Sequence, residues 1–277
     1  MNAAEIKKFV LSLERPKDSN KYDYGHILVV AGSKNTPGAG VLCANGAMRA
    51  GAGLATYSCE ENFLTQAASM SKPETMFLTY KSASDIIDFI KSRKVAAAAF
   101  GPGLCLSWRL SGFVDEIISE VDIPVVLDAS ALTAYGGKAQ KLKNAKAKLI
   151  LTPHAGEFNK LCAGKDLVAD TVKNFAKQNS LTCLLKGHNT VVSDGDRVYI
   201  NGSGTPAMAT AGSGDVLSGI IAAFAARGFV PFEAAKFGAY VHGLAGELAQ
   251  KDKGANGIIA SDICENIPYI LKRLASE

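Results

Sequence analysis

The residues Gly212-Ser213-Gly214-Asp215 combine the types that phosphate chemistry needs. Glycines at 202, 204, 212 and 214 lead from Asn201 into an apolar helical pattern of Val216, Leu217, Ile220, Ile221 and Phe224, with Gly228 placed to end it. A helix start presents unpaired N–H groups and the positive end of the macrodipole, and glycine lets backbone approach an anion closely. Asp215 adds an acid/base group at that junction. A bare helix-terminal acid would serve the dipole alone; the glycines around Asp215 favour catalysis. The same dipole predicts an Asp215 carboxyl held below its usual range, ionised and weakly basic.

Other glycine-rich and polar segments recur along the chain: Gly32 to Gly40, Gly101-Pro102-Gly103-Leu104, Asp128-Ala129-Ser130-Ala131, Thr152 to Glu157 and Lys186-Gly187-His188-Asn189-Thr190. Each follows a short apolar run, the place where ligands gather in open parallel sheets. No GxxxxGK[ST] is present, and no GxGxxG follows the first strand with an acidic residue at the right distance. His154 is read either as a ligand contact or as the cap of a helix beginning near Gly156. Lys186 is either a phosphate partner or a surface lysine at a strand end. Asp128 keeps a structural and a site-ordering role side by side and stays outside the candidate set. His26 and His242 are read as satisfied core or supporting histidines.

The elements that must position these residues alternate between apolar strands and crossover helices. Strands are expected over His26 to Ala31, Leu54 to Ser58, Val95 to Phe100, Pro124 to Asp128, Leu149 to Thr152 and Thr182 to Leu185. Their continuous apolar character fits strands covered on both faces, hence a mostly parallel sheet. Asp194-Gly195 between Thr190 to Ser193 and Arg197 to Asn201 marks a late β-hairpin. Helices are expected over the N-terminal segment, Val41 to Arg49, the stretch beyond Asp215, Phe232 to Gln250 and Ser261 to Leu274. The fold class is α/β, a three-layer α/β/α arrangement, and residues 1–277 are expected to form a single domain.

Composition narrows the function classes. The 277 residues are 48% hydrophobic and 20% charged with a net charge of +4, an ordinary globular balance without the basic patch of a nucleic-acid binder. The lysines between Lys138 and Lys148 read as a solvated face. Six cysteines without CxxC spacing suggest reduced thiols in a cytoplasmic protein. No run reaches the length of a membrane span, and the N-terminal segment has no signal-type apolar block.

Gly212-Ser213-Gly214-Asp215-Val216-Leu217-Ser218-Gly219 resembles the GxGD signature of the ribokinase-like superfamily. Within it, the chain is most similar to the ADP-dependent NAD(P)H-hydrate dehydratases. Arg49 to Leu54, Phe100 to Leu104, Leu151 to Glu157, Tyr240 to Gly246, Ala260 to Ile263 and Pro268 carry the resemblance, which runs from about Tyr24 to Leu274. Sugar and vitamin kinases of the superfamily commonly show Asn-Pro-x-x-x-Glu where this chain has Thr-Pro-His-Ala-Gly-Glu.

The resemblance implies dehydration of (6S)-NADHX or NADPHX to NADH or NADPH, with ADP as co-substrate leaving as AMP and phosphate. Asp215 would be the catalytic base. Ala39, Gly103, His154 and Asp215 match positions that bind the hydrated dinucleotide; Lys186, Gly187, His188, Asn189, Thr190 and Gly214 match those around the nucleotide. Mg²⁺ is expected on the diphosphate, with ligands unassigned beyond Glu157 acting through water. The family tendency is a homotetramer without nucleic-acid or membrane partners. The chain ahead of the first strand is too short for a companion epimerase domain. A small-alcohol kinase is the alternative activity, and a nucleotide sensor without catalysis a third; the intact Asp215 and its glycine turn speak against the last.

Overall fold

The computed structural model describes residues 1–107, 109–162 and 168–276. In chain order the principal elements are α1 (Ala3–Leu11), β1 (His26–Val30), α2 (Pro37–Arg49), β2 (Leu54–Cys59), α3 (Leu64–Met70), β3 (Met76–Thr79), α4 (Ala83–Ser92), β4 (Ala97–Phe100), α5 (Leu110–Glu120), β5 (Pro124–Leu127), α6 (Ala129–Thr133), β6 (Lys148–Leu151), α7 (Ala155–Cys162), α8 (Ala169–Asn179), β7 (Thr182–Leu185), β8 (Val191–Ser193), β9 (Val198–Ile200), α9 (Ser213–Ala226), α10 (Pro231–Lys253) and α11 (Ala260–Leu274). The strands form one sheet of order β3-β2-β1-β4-β5-β6-β7-β8-β9. Pairing is parallel from β3 through β7 and antiparallel at β7–β8 and β8–β9.

Alternate strand residues feed two cores. Ile27, Val29, Ala97, Ala99, Val126 and Ile150 pack under α1, α2, α9, α10 and α11. Leu28, Val30, Ala98, Phe100, Val125 and Leu127 pack under α4, α5 and α8. Both faces of each central strand are therefore covered, which is why the strands read as unbroken apolar runs. The chain leaves β1 for β2 on one side and β4 pairs on the other, so the loops after β1 and β4 diverge at this switch in strand order. Gly32 N donates to Pro102 O at 2.7 Å across that point.

Helix α9 is apolar almost all round and buried over most of its length, as befits a helix enclosed by others. Gly46 of α2 and Gly219 of α9 let the two backbones touch: a Cβ on Gly46 would stand 2.6 Å from Val216 O, and one on Gly219 would collide with the Cys43 carbonyl.

Two expectations shift at their edges, and one strand was not expected. Helix α2 begins at Pro37 rather than Val41, because Pro37 occupies the first turn, where a missing N–H costs nothing. Ala39 and Gly40 thus belong to the helix. Strand β3 escapes the sequence pattern because it is a four-residue edge strand with partly exposed side chains. The hairpin connection spans 194–197, since the Asp194 carboxylate accepts from the amides of Asp196 at 3.2 Å and Arg197 at 2.8 Å. The Lys138 to Lys148 lysines are exposed. All six cysteines are free thiols, five of them buried. Among the described residues no helix is long and apolar enough to cross a membrane.

Candidate active site

Gly212 makes the turn into α9 at φ 87, a left-handed conformation that glycine adopts without a Cβ penalty. Ser213, Gly214 and Asp215 then form the first helical turn, whose amides lack intrahelical acceptors by geometry. Ser213 Oγ lies 3.3 Å from His242 Nε2 of α10. Burial drives the His242 imidazole down to about 4, partly offset by its hydrogen bond with Ser213. His242 is therefore neutral at physiological pH, a supporting residue behind the helix start.

Asp215 departs from its expected acidity. Burial raises its carboxyl from 3.8 to about 7, the nearby negative charge of Asp128 adds to the rise, and Lys186 opposes it. Desolvation outweighs the helix dipole because the carboxylate sits among buried groups, where the loss of hydration is the larger cost.

Strands β6 and β7 end side by side and deliver His154 and Lys186 together. Lys186 N donates to Pro153 O at 2.8 Å, and His154 and Lys186 form a parallel bridge. Lys186 Nζ reaches Asp128 Oδ1 at 2.7 Å, and a Cβ on Gly214 would stand 3.3 Å from that ammonium. Burial pulls the Lys186 amine down, yet the Asp128 carboxylate leaves it above the ordinary lysine value. His154 caps α7: its Nδ1 accepts from Gly156 N at 3.0 Å and Glu157 N at 3.2 Å, while Glu157 Oε2 accepts from His154 N at 2.9 Å. Capping and ligand contact are compatible, because the side chain is 59% exposed.

A cleft of about 720 Å³ opens beside this cluster. Its walls include His154, Lys186, Gly187, His188, Thr190 and Gly214 from the sequence candidates, but neither Asn189 nor Asp215, which stands next to the wall residue Gly214. Thr190 Oγ1 closes the 187–190 turn by donating to Gly187 O at 3.0 Å. The remaining wall, Asn201 to Ala209 with Ala239, His242 and Gly243, was largely outside the candidate set. Asn201 organises it. Its Nδ2 donates to Ser203 O at 3.0 Å and Ala239 O at 3.3 Å, and its Oδ1 accepts from Tyr199 and Ser203 hydroxyls, both at 3.1 Å. An asparagine next to a glycine-rich loop was the available signal.

Ala39 and Gly103 do not line this cleft; they meet each other. Gly103 has φ 64, and a Cβ there would stand 2.7 Å from Ala39 Cβ and 2.8 Å from Thr36 O. Thr36 Oγ1 donates to Gly103 O at 2.7 Å, and Tyr57 OH donates to Pro37 O at 2.9 Å. The start of α2 is thereby clamped to the loop after β4. Leu42, one turn further along α2, packs where a Cβ on Gly212 would stand. Asp215 lies within electrostatic reach of Cys43 on α2 and Tyr57 on β2. The Ala39 and Gly103 pair is thus linked to the head of α9 only along α2, whose Leu42 packs against Gly212. A second groove of about 660 Å³ lies between α1 and α11. Its Arg15 and Arg227 already donate to the carbonyls of Gly51 and Ser12.

The family model described as NAD(P)H-hydrate dehydratase matches residues 27–269. A bifunctional NAD(P)H-hydrate repair enzyme of Moorella thermoacetica is 37% identical over 95% of this chain and 52% of its own length. An ADP-dependent (S)-NAD(P)H-hydrate dehydratase of Cenarchaeum symbiosum is 35% identical over 97% of this chain and 95% of its own. The chain spans about half the length of several curated relatives and nearly all of others. The crystal structure of an ADP/ATP-dependent NAD(P)H-hydrate dehydratase from Bacillus subtilis, co-crystallised with ATP and Mg²⁺, superposes with a TM-score of 0.80 at 30% identity, covering 94% of both chains.

Proposed function

The chain belongs to the NAD(P)H-hydrate dehydratase family, and from that premise we propose that it restores NADH and NADPH from their (6S)-hydrates, consuming ADP and releasing AMP and phosphate. The observation that carries the proposal is the meeting of Asp215, Gly214, Lys186 and Asp128 at the head of a buried helix beside a cleft of nucleotide size.

Hydroxide is a poor leaving group, and phosphorylation of the ring hydroxyl makes its loss feasible. Asp215 takes the hydroxyl proton as that oxygen attacks the β-phosphorus of ADP and the bond to the AMP oxygen breaks. Phosphate then departs with the ring C–O electrons, and loss of a proton from the neighbouring carbon regenerates the reduced nicotinamide. A carboxyl raised to about 7 is a stronger base than an ordinary aspartate and is still half ionised at neutral pH. The amides of Gly214 and Asp215, with the Lys186 ammonium, stabilise charge on the transferred phosphoryl group. Lys186, Gly187, His188, Thr190 and Gly214 hold the nucleotide in the cleft. Ala39, Gly103 and His154 flank the hydrated ring.

Among the described residues no group of three or more His, Cys, Asp or Glu side chains could hold a metal on its own. Mg²⁺ brought with the nucleotide would have the buried Glu157 to act on it through water. When bound, the ion neutralises diphosphate charge. Residues 1–277 are read as one catalytic unit, because one sheet runs through them. The free, mostly buried thiols support residence in the reducing cytoplasm. A homotetramer is proposed by likeness to the family and is tested by native mass.

The activity is tested by incubating the protein with NADHX, ADP and Mg²⁺ while following absorbance of the reduced nicotinamide and formation of AMP. Recovery of NADH in step with AMP is expected. Phosphorylation of a vitamin-type alcohol without NADH recovery would replace the dehydratase with a kinase.

A further inference from the structure

Asp128 closes β5 with 1% of its surface exposed and does not line the cleft. Three elements nevertheless converge on its carboxylate. Oδ1 accepts from Ala129 N at 2.9 Å and from Lys186 Nζ at 2.7 Å, and Oδ2 accepts from Ser218 Oγ at 2.7 Å. These donors come from the start of α6, the end of β7 and the second turn of α9. The backbone is bent to serve the arrangement. Ala129 takes φ 47, a conformation that residues with a Cβ adopt only at a cost. The Asp128 carbonyl packs so closely on Gly101 that a Cβ there would collide with it.

We propose that Asp128 is a positioning residue for phosphoryl transfer: by fixing the Lys186 ammonium and Ser218 together it holds the cation over Gly214, at the head of α9. The inference rests on the dehydratase activity proposed above and deepens it. Lysine carries a point charge on a flexible stem. Without a fixed anion its ammonium would settle on whichever negative group was nearest, Asp215 included. Held by Asp128, it stays where the transferred group would rest and leaves Asp215 unpaired as the base. Cys43 from α2 and Tyr57 from β2 also lie within electrostatic reach of Asp215, while Glu157 from α7 and His242 from α10 lie within that of Lys186.

The test is a double-mutant cycle on ADP binding, measured calorimetrically for the wild type, Asp128→Asn, Lys186→Met and the double variant. Asp128→Asn keeps the shape of the side chain and removes its charge. It is expected to weaken ADP binding about ten- to hundredfold, the usual worth of a charge-assisted hydrogen bond. In the Lys186→Met background the same change should have no further effect. In turnover, the acid limb of kcat/KM should move to lower pH in Asp128→Asn, because a negative charge beside Asp215 is lost. A merely structural Asp128 would lower the melting temperature and cost ADP binding equally with Lys186 present or replaced. Equal losses in both backgrounds, or an unmoved limb, overturn the proposal. Should Asp128→Asn fail to fold, Ser218→Ala removes one of the three donors and is expected to weaken ADP binding in the same non-additive way. A wild type that binds ADP without regenerating NADH counts against the dehydratase, and the binding cycle still decides the role of Asp128.

Discussion

Replacing Asp215 by asparagine should stabilise the folded protein, and the gain should depend on pH in a defined way. The folded carboxyl stands at about 7 against an ordinary value of 3.8, so the folded state holds its proton more tightly than the unfolded chain. Below about pH 4 the group is protonated in both states and adds nothing. As pH rises from there through the folded value, the unfolded state ionises first and wild-type stability falls. At 1.36 kcal/mol per pH unit the full difference is about 4 kcal/mol above pH 7, reduced to about 2–4 kcal/mol by water entering the adjacent cleft. Asparagine does not titrate and escapes this penalty. Urea unfolding of both proteins between pH 5.5 and 8 measures the gap directly. The wild type should lose about 1–1.5 kcal/mol relative to Asp215→Asn between pH 5.5 and 7, with the curves parallel above pH 8. Curves that stay parallel throughout would show that burial does not raise this carboxyl, and the base assignment would lose its electrostatic support.

Other outcomes follow from the same geometry. The kcat/KM for NADHX should fall about tenfold per pH unit below about 7, the value of Asp215 in the free enzyme, and Asp215→Asn should bind ADP without turnover. Gly103→Ala forces a side chain into φ 64 and against Ala39 and Thr36; a loss of about 2–3 kcal/mol in thermal stability is expected, with a raised KM for the dinucleotide and an unchanged ADP affinity. His154→Ala removes the acceptor for two α7 amides and should cost about 1 kcal/mol, whereas His154→Asn, which can cap, should recover stability without recovering substrate affinity.

The parallel sheet and its helices were legible because β1, β4, β5, β6 and β7 are covered on both faces, and double burial writes itself as uninterrupted apolar runs. The start of α9 was legible for a different reason: its glycines and its lone acid are residue types that few other settings demand. Asp128 was harder. A strand-end aspartate is compatible with a cap, a turn or a site, and the choice depended on Lys186 and Ser218, which are 58 and 90 residues away in sequence. The acidity of Asp215 was misjudged because the local dipole can be read from neighbours while burial is made by the whole fold. Asn201 opened the glycine-rich stretch that marked the site, but its contacts with Ser203 and with Ala239 of α10 run through backbone carbonyls and leave no periodic trace.

The burial of α9 has an evolutionary consequence. Its glycine contact with α2 and its enclosure by α2, α10 and α11 leave almost no substitution that would not disturb several neighbours at once. The turn at 187–190 carries fewer such obligations, its residues 187–189 being exposed. Descendants of this chain can therefore vary that rim more freely than the head of α9.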